Sequence, residues 1–296
     1  MPEAVAVKSR PRNRRRNDPR NRRRMRPGQA VAYLFVGSGA LIMVLPFLAA
    51  LFNSLKTHAQ YIEVPPVVLP DPPQWSNYTE VWDRAPFGRY ALNSLVIATA
   101  ATVGNVLSSA MVGHALARMR LPARGALLTA ALATLMLPTV VTIIPSFLLF
   151  REFGWLDTFL PLIVPFWLAT PFGIFLMRQS FLAIPPDFQE AATLDGAGPW
   201  RIFTRIHLPL VKPALATLSV FTFMASWGAV LEPTVYLTSP EKLTLPLGVM
   251  GLRGQFVGND QLVTAAALMS LVPILVVFVV AQRYFVRGAM SAGVKG

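Results

Sequence analysis

Six runs of apolar residues, each near the roughly 20 residues needed to cross a bilayer, constrain this chain more than any other feature. They fall near residues 30–52, 90–117, 126–150, 159–177, 210–236 and 262–280. With 54% hydrophobic residues against 14% charged over 296 residues, there is more apolar surface than one soluble core needs. The reading is an all-α membrane protein with six transmembrane helices. Proline interrupts the runs at Pro46, at Pro138 and Pro145, and at Pro161, Pro165 and Pro171. Kinks or broken turns are expected there, with protein or water beside the freed backbone groups.

Charge gives the runs a direction. Placing both termini in the cytoplasm puts 21 of the 27 Lys and Arg residues on the inside and six outside, a clear positive-inside bias. Eleven of them crowd residues 1–28 against two acids, Glu3 and Asp18. Such a tract cannot bury a core, so it reads as a disordered cytoplasmic tail touching anionic lipid rather than as a nucleic-acid arm. Residues 29–287 then form one transmembrane domain, and 288–296 a short cytoplasmic end. Two outside loops follow from this order. The proline-rich 58–87 stretch is expected to be an extended strap in its first half, packing on the outer face or meeting an extracytoplasmic protein, and 237–261 is a second candidate contact.

Between the fourth and fifth runs lies a polar stretch, 185–213, with its own punctuation. Asp187 with Glu190 three residues on has the form of a capping box, which starts a helix at Asp187. Gly196 suits a left-handed helix stop, and Gly198-Pro199 suits a second start. Two short helices joined by a glycine turn are expected, on the cytoplasmic side by the charge count.

Within that stretch, Glu190-Ala191-Ala192, Gly196 and Ile206-His207-Leu208-Pro209 resemble the EAA loop of ATP-binding-cassette (ABC) importer permeases. The runs Gly173-Ile174-Phe175-Leu176-Met177-Arg178 and Ser291-Ala292-Gly293-Val294-Lys295-Gly296 look like the carbohydrate-uptake, maltose-type branch of that family. The resemblance covers the chain from about Pro86 to its end. It implies one of two permease subunits of an ATP-driven sugar importer in a bacterial inner membrane. The implied partners are a second permease, two ATPase subunits and an extracytoplasmic binding protein. The loop, about 185–209, would dock into a cleft of the ATPase. Glu190, Ala191, Ala192, Asp195 and Gly196, with Phe188, Leu194, Ile206 and Pro209, would transmit force there. This chain would bind no cofactor, with ATP and Mg held by the ATPase. Uptake of a polyol or glycerol phosphate is the neighbouring alternative.

The residues themselves offer no catalytic constellation. No lysine follows a glycine, so there is no GxxxxGK phosphate loop. His58, His114 and His207 lie far apart in sequence and read as separate, and neither HExxH nor GxSxG is present. An ion-coupled secondary transporter is a second class, but the runs hold one candidate acid and no visible repeat. The polar residues inside the runs, among them Asn93, Ser94, Asn105, Ser108, Ser109, Thr139, Thr142 and Ser226, read chiefly as helix packing, with Gly104, Ser108 and Gly113 as a close-contact face. Glu232 differs, because a carboxylate at membrane depth is costly without a cavity or a partner. It either sits at the outer interface or reaches a substrate cavity, where Trp227 would offer an apolar stacking face.

Overall fold

The computed structural model describes residues 27–255 and 258–292. Among them there are helices and connecting turns but no strand. Most of the expected 1–28 tail and residues 293–296 lie outside this range, while residues 288–292 continue the last helix. The chain divides into two compact units, Met1–Leu48 and Ala49–Gly296. In the first, the described residues belong to helix α1 (Pro27–Ser54), whose side chains from Val31 to Leu45 are mostly exposed, Phe35 at 80%. An apolar helix left bare in this way belongs against lipid or another protein.

The second unit is organised around α4 (Phe87–Arg118), a helix of 32 residues and so about 48 Å long. Ahead of it come α2 (His58–Ile62) and α3 (Ser76–Arg84). The expected strap is therefore corrected at its start. Thr57 and Gln60 form a reciprocal capping box that winds one helical turn before the prolines begin. Asn77 Nδ2 then ties α3 back by donating to the carbonyls of Ser54 (2.8 Å) and Lys56 (2.9 Å).

After α4 come α5 (Arg124–Ala133), α6 (Thr139–Glu152), α7 (Leu160–Trp167) and α8 (Pro171–Leu182). The third apolar run breaks at Pro138, where the helical pieces Arg124–Met136 and Thr139–Glu152 meet at 102°. Proline denies the backbone donor that would carry the helix through. The fourth run breaks at Ala169, which has φ +64°, and restarts where Thr170 accepts from the backbone of Gly173. Helices α9 (Asp187–Leu194), α10 (Pro199–Ile202) and α11 (Leu208–Leu210) lead into α12 (Lys212–Trp227), then α13 (Leu231–Tyr236), α14 (Leu245–Gln255) and α15 (Asp260–Ala292). The fifth run is thus shorter than expected, since the helix stops at Trp227 and resumes at Leu231. Among the described residues, four helices are long and apolar enough to cross a membrane, or up to six if each bent pair is one span.

Small residues let α4 take the centre. A Cβ on Gly104 would lie 2.1 Å from the Trp167 ring, and one on Gly113 would lie 2.7 Å from Met177 Cβ and 2.9 Å from the Arg178 backbone. Close backbone approach of this kind is how helices associate without a hydrophobic driving force. Buried Asn105 then joins three elements: its Nδ2 donates to Thr222 on α12 (2.7 Å), while its Oδ1 accepts from Ser109 on α4 (2.9 Å) and from the backbone of Thr170 at the start of α8 (3.0 Å). Asn105, Ser108 and Ser109, read as packing, are therefore satisfied within the helix bundle.

Candidate functional site

Two places combine chemistry with geometry: the 185–209 segment, and a cavity beside the break after Trp227. In the first, α9 begins at Asp187 as expected, but not by the expected cap. Pro186 occupies the N-cap position and no side chain caps the helix, which corrects the Asp187–Glu190 capping box. Once Asp187 is the first helical residue, its carboxylate no longer has the N-cap geometry that reaches the backbone donors. The stop is as read. Gly196 takes φ +76°, its N–H reaches the Thr193 carbonyl at 3.0 Å, and the Ala197 N–H reaches that of Ala192 at 2.9 Å. Those two bonds are a Schellman closure, which glycine permits at least cost. Gly198 then precedes α10, with Pro199 as its first residue.

One side of this segment is anchored and the other is bare. Ile202, Phe203 and His207 are buried, and Phe203 joins a core with Ala110, Ala117, Met177, Phe181 and Leu218. Leu194 is 89% exposed and Trp200 68%, with Phe188 half exposed; Glu190 and Ala191 are also exposed, whereas Ala192 is buried. Ile206 is half-buried and Pro209 exposed, on either side of His207. Asp195 closes α9.

The anchor contains a contact that the sequence did not reveal. His114 Nε2 on α4 lies 2.9 Å from His207 Nδ1, and both rings pack against Phe181, with His114 also against Phe203. Treating these histidines as separate is therefore corrected. They are 93 residues apart, and a single π-helical turn, Phe203–His207, swings His207 inward. Beside them, Arg118 donates to the carbonyls of Phe181 (3.1 Å from Nε) and Ile184. It thereby adds donors to carbonyls where α8 ends, a favourable place for a cation.

The second place is a cavity of about 340 Å³ lined by α6, α7, α13 and the end of α12. Glu232 lines it, with the hydroxyl-bearing Thr139, Thr142, Ser146, Tyr236 and Thr244. Trp227 does not. Its ring is 2% exposed, stacks on Phe223 at 5.6 Å and donates its N–H to the Ser270 carbonyl at 3.1 Å. The expectation of a Trp227 stacking face is corrected, because the helix ends with that ring turned into the core.

A latch sits past the C-terminal end of α13. Asp157, at φ +53°, accepts from the Ser239 hydroxyl (2.5 Å), Lys242 Nζ (2.9 Å), and the backbone N–H groups of Ser239 (2.9 Å) and Thr238 (3.0 Å). These donors, the Ser239 hydroxyl foremost, hold its carboxyl well below the usual carboxylate range.

Against known proteins, residues 106–290 match the family of binding-protein-dependent transport system inner membrane components. The chain belongs to this family. The permease is 32% identical to the diacetylchitobiose uptake system permease protein NgcG of Streptomyces coelicolor, covering 89% of this chain and 88% of that one. It is 33% identical to the sn-glycerol-3-phosphate transport system permease protein UgpE of Yersinia enterocolitica, covering 86% and 93%. Its fold matches a chain of a bacterial ABC transporter involved in the import of the acidic polysaccharide alginate, with TM-score 0.75, 26% identity, and coverage of 86% and 95%. As a family member the permease is a multi-pass inner-membrane transport component rather than an enzyme. The ATPase is a separate subunit.

Proposed function

We propose that this chain is one of two permease subunits of an ATP-driven importer for a di- or oligosaccharide, coupled to its ATPase through the 185–209 segment. The observation that carries the coupling is the segment's two-sidedness: a buried root at Ile202, Phe203 and His207 under an exposed apolar tip at Phe188, Leu194 and Trp200. An exposed apolar patch on an otherwise fixed element is what a protein partner covers. The positive-inside charge count supports a cytoplasmic tip and cytoplasmic termini; in this reading two ATPase subunits meet the tip and a binding protein works on the other side. Glu190, Ala191, Ala192, Asp195, Gly196, Ile206 and Pro209 shape and orient the tip.

The mechanism is alternating access. Closure of the ATPase pair displaces α9, the His207–His114 contact and the Phe203 core carry that displacement to α4, and α4 moves the helices packed on it. Sugar as cargo is supported by relatives named for diacetylchitobiose uptake and for arabinooligosaccharide transport, the latter AraQ of Bacillus subtilis at 30% identity. Glycerol phosphate is the second reading, favoured by the UgpE likeness.

Gly196→Val tests the coupling. Nothing lies within 4 Å of the added Cβ, so the substitution acts through φ +76° alone, at a cost of about 1–2 kcal/mol. In the reconstituted importer, sugar uptake and binding-protein-stimulated ATP hydrolysis should fall together, with the complex still assembled. Normal uptake and normal stimulation in the variant would refute the assignment.

A further inference from the structure

We infer that the cavity beside α13 is a carbohydrate subsite that discriminates by charge, with Glu232 as the residue that sets the preference against anionic cargo. This rests on reading the chain as a sugar-importer permease. The family does not dictate the preference, since the relatives include a permease named for sn-glycerol-3-phosphate and a transporter of an acidic polysaccharide.

Two observations support the inference. Glu232 is the one charged side chain among the described residues that line the cavity, which hold no lysine, arginine or histidine. A phosphate or uronate entering from this chain's side meets a carboxylate and no counter-charge, in surroundings that screen less than water does. The remaining lining sets hydroxyl-bearing residues, Thr142 and Ser146 among them, beside the aromatic Phe150 and Phe166. A sugar ring matches that mixture, because it carries hydroxyl donors for a carboxylate and C–H faces for apolar walls. The volume, about 340 Å³, lies at the small end of ligand pockets. It suits a short sugar or one end of a longer one.

The test uses the purified complete importer in nanodiscs without its binding protein, whose own selectivity would mask that of the cavity. Three probes are compared by saturation-transfer NMR: diacetylchitobiose (neutral), its deacetylated form (cationic) and glycerol 3-phosphate (anionic). The wild-type complex should bind the neutral and cationic sugars at least tenfold more tightly than the anion. Glu232→Gln should narrow that ratio to about twofold, Glu232→Asp should restore it, and Glu232→Lys should invert it. A ratio unchanged in both Gln and Lys variants, or no binding of any probe to the wild type, would overturn the subsite. The importer reading would fail separately, by the absence of binding-protein-stimulated ATP hydrolysis in the same preparation.

Discussion

The 185–209 segment and the cavity around Glu232 are built by opposite means. At the segment's root most polar groups are engaged, His207 Nε2 excepted: imidazole meets imidazole, Arg118 serves the carbonyls at the end of α8, and the Schellman bonds close α9. In the cavity the hydroxyls bond locally, Thr142 to the Thr139 carbonyl and Ser146 with Tyr236, but no cation stands beside Glu232 in the lining. A part that must transmit displacement needs its contacts already made. A part that must receive and release a ligand needs some unmade. The same helix, α4, serves both, with Ile97 on the cavity and His114 in the root.

That contrast breaks if the root is soft. The largest effect is expected from removing either imidazole, because the partner, fully buried for His207 and half-buried for His114, is then left with an unmet nitrogen, at roughly 1–3 kcal/mol. His114→Ala and His207→Ala should each lower the thermal midpoint of the purified complex by several degrees. The double variant should lose little more than the worse single, since a shared contact is removed only once. Strictly additive losses would show that the rings pack independently and that the hydrogen bond carries nothing between α4 and the segment.

A smaller effect sharpens the contrast from the far side of the cavity. Asp157→Asn removes a charge that gathers four donors, and should lower the midpoint only slightly because the site is partly exposed. The sign with pH is fixed by the depressed carboxyl. Its contribution is complete above the ordinary carboxylate value near 3.8 and is lost only as pH falls through the lower folded value. The difference between wild type and variant should therefore stay constant from pH 8 to pH 5 in a thermal-shift series. A difference that vanishes by pH 5 would mean the latch does not form.

Much of the architecture was legible because it is local. Apolar run length marked the spans, Pro138 marked the sharp bend, and Gly196 followed by Gly198-Pro199 marked a stop and a start that the backbone obeys. The misses are of another kind. Nothing in the spacing of His114 and His207 joins them, because their contact depends on how α4 packs and on one π-helical turn. Trp227 and Glu232, five residues apart, fall within one continuous apolar run, where both are expected to reach the same cavity. The break at Gly228 separates them, sending the indole into the core and leaving the carboxylate on the cavity. The capping box failed by a single position, which local pattern cannot resolve when proline precedes the acid.

The central claim is that the exposed tip of the segment faces the ATPase while the strap before α4 faces the opposite side of the membrane. The chain has no cysteine, so Glu190→Cys and Trp75→Cys, both at exposed positions, can be probed singly in intact cells with a membrane-impermeant thiol reagent. Trp75→Cys should be modified at once and Glu190→Cys only after the membrane is opened. Modification of Glu190→Cys from outside intact cells would contradict the claim.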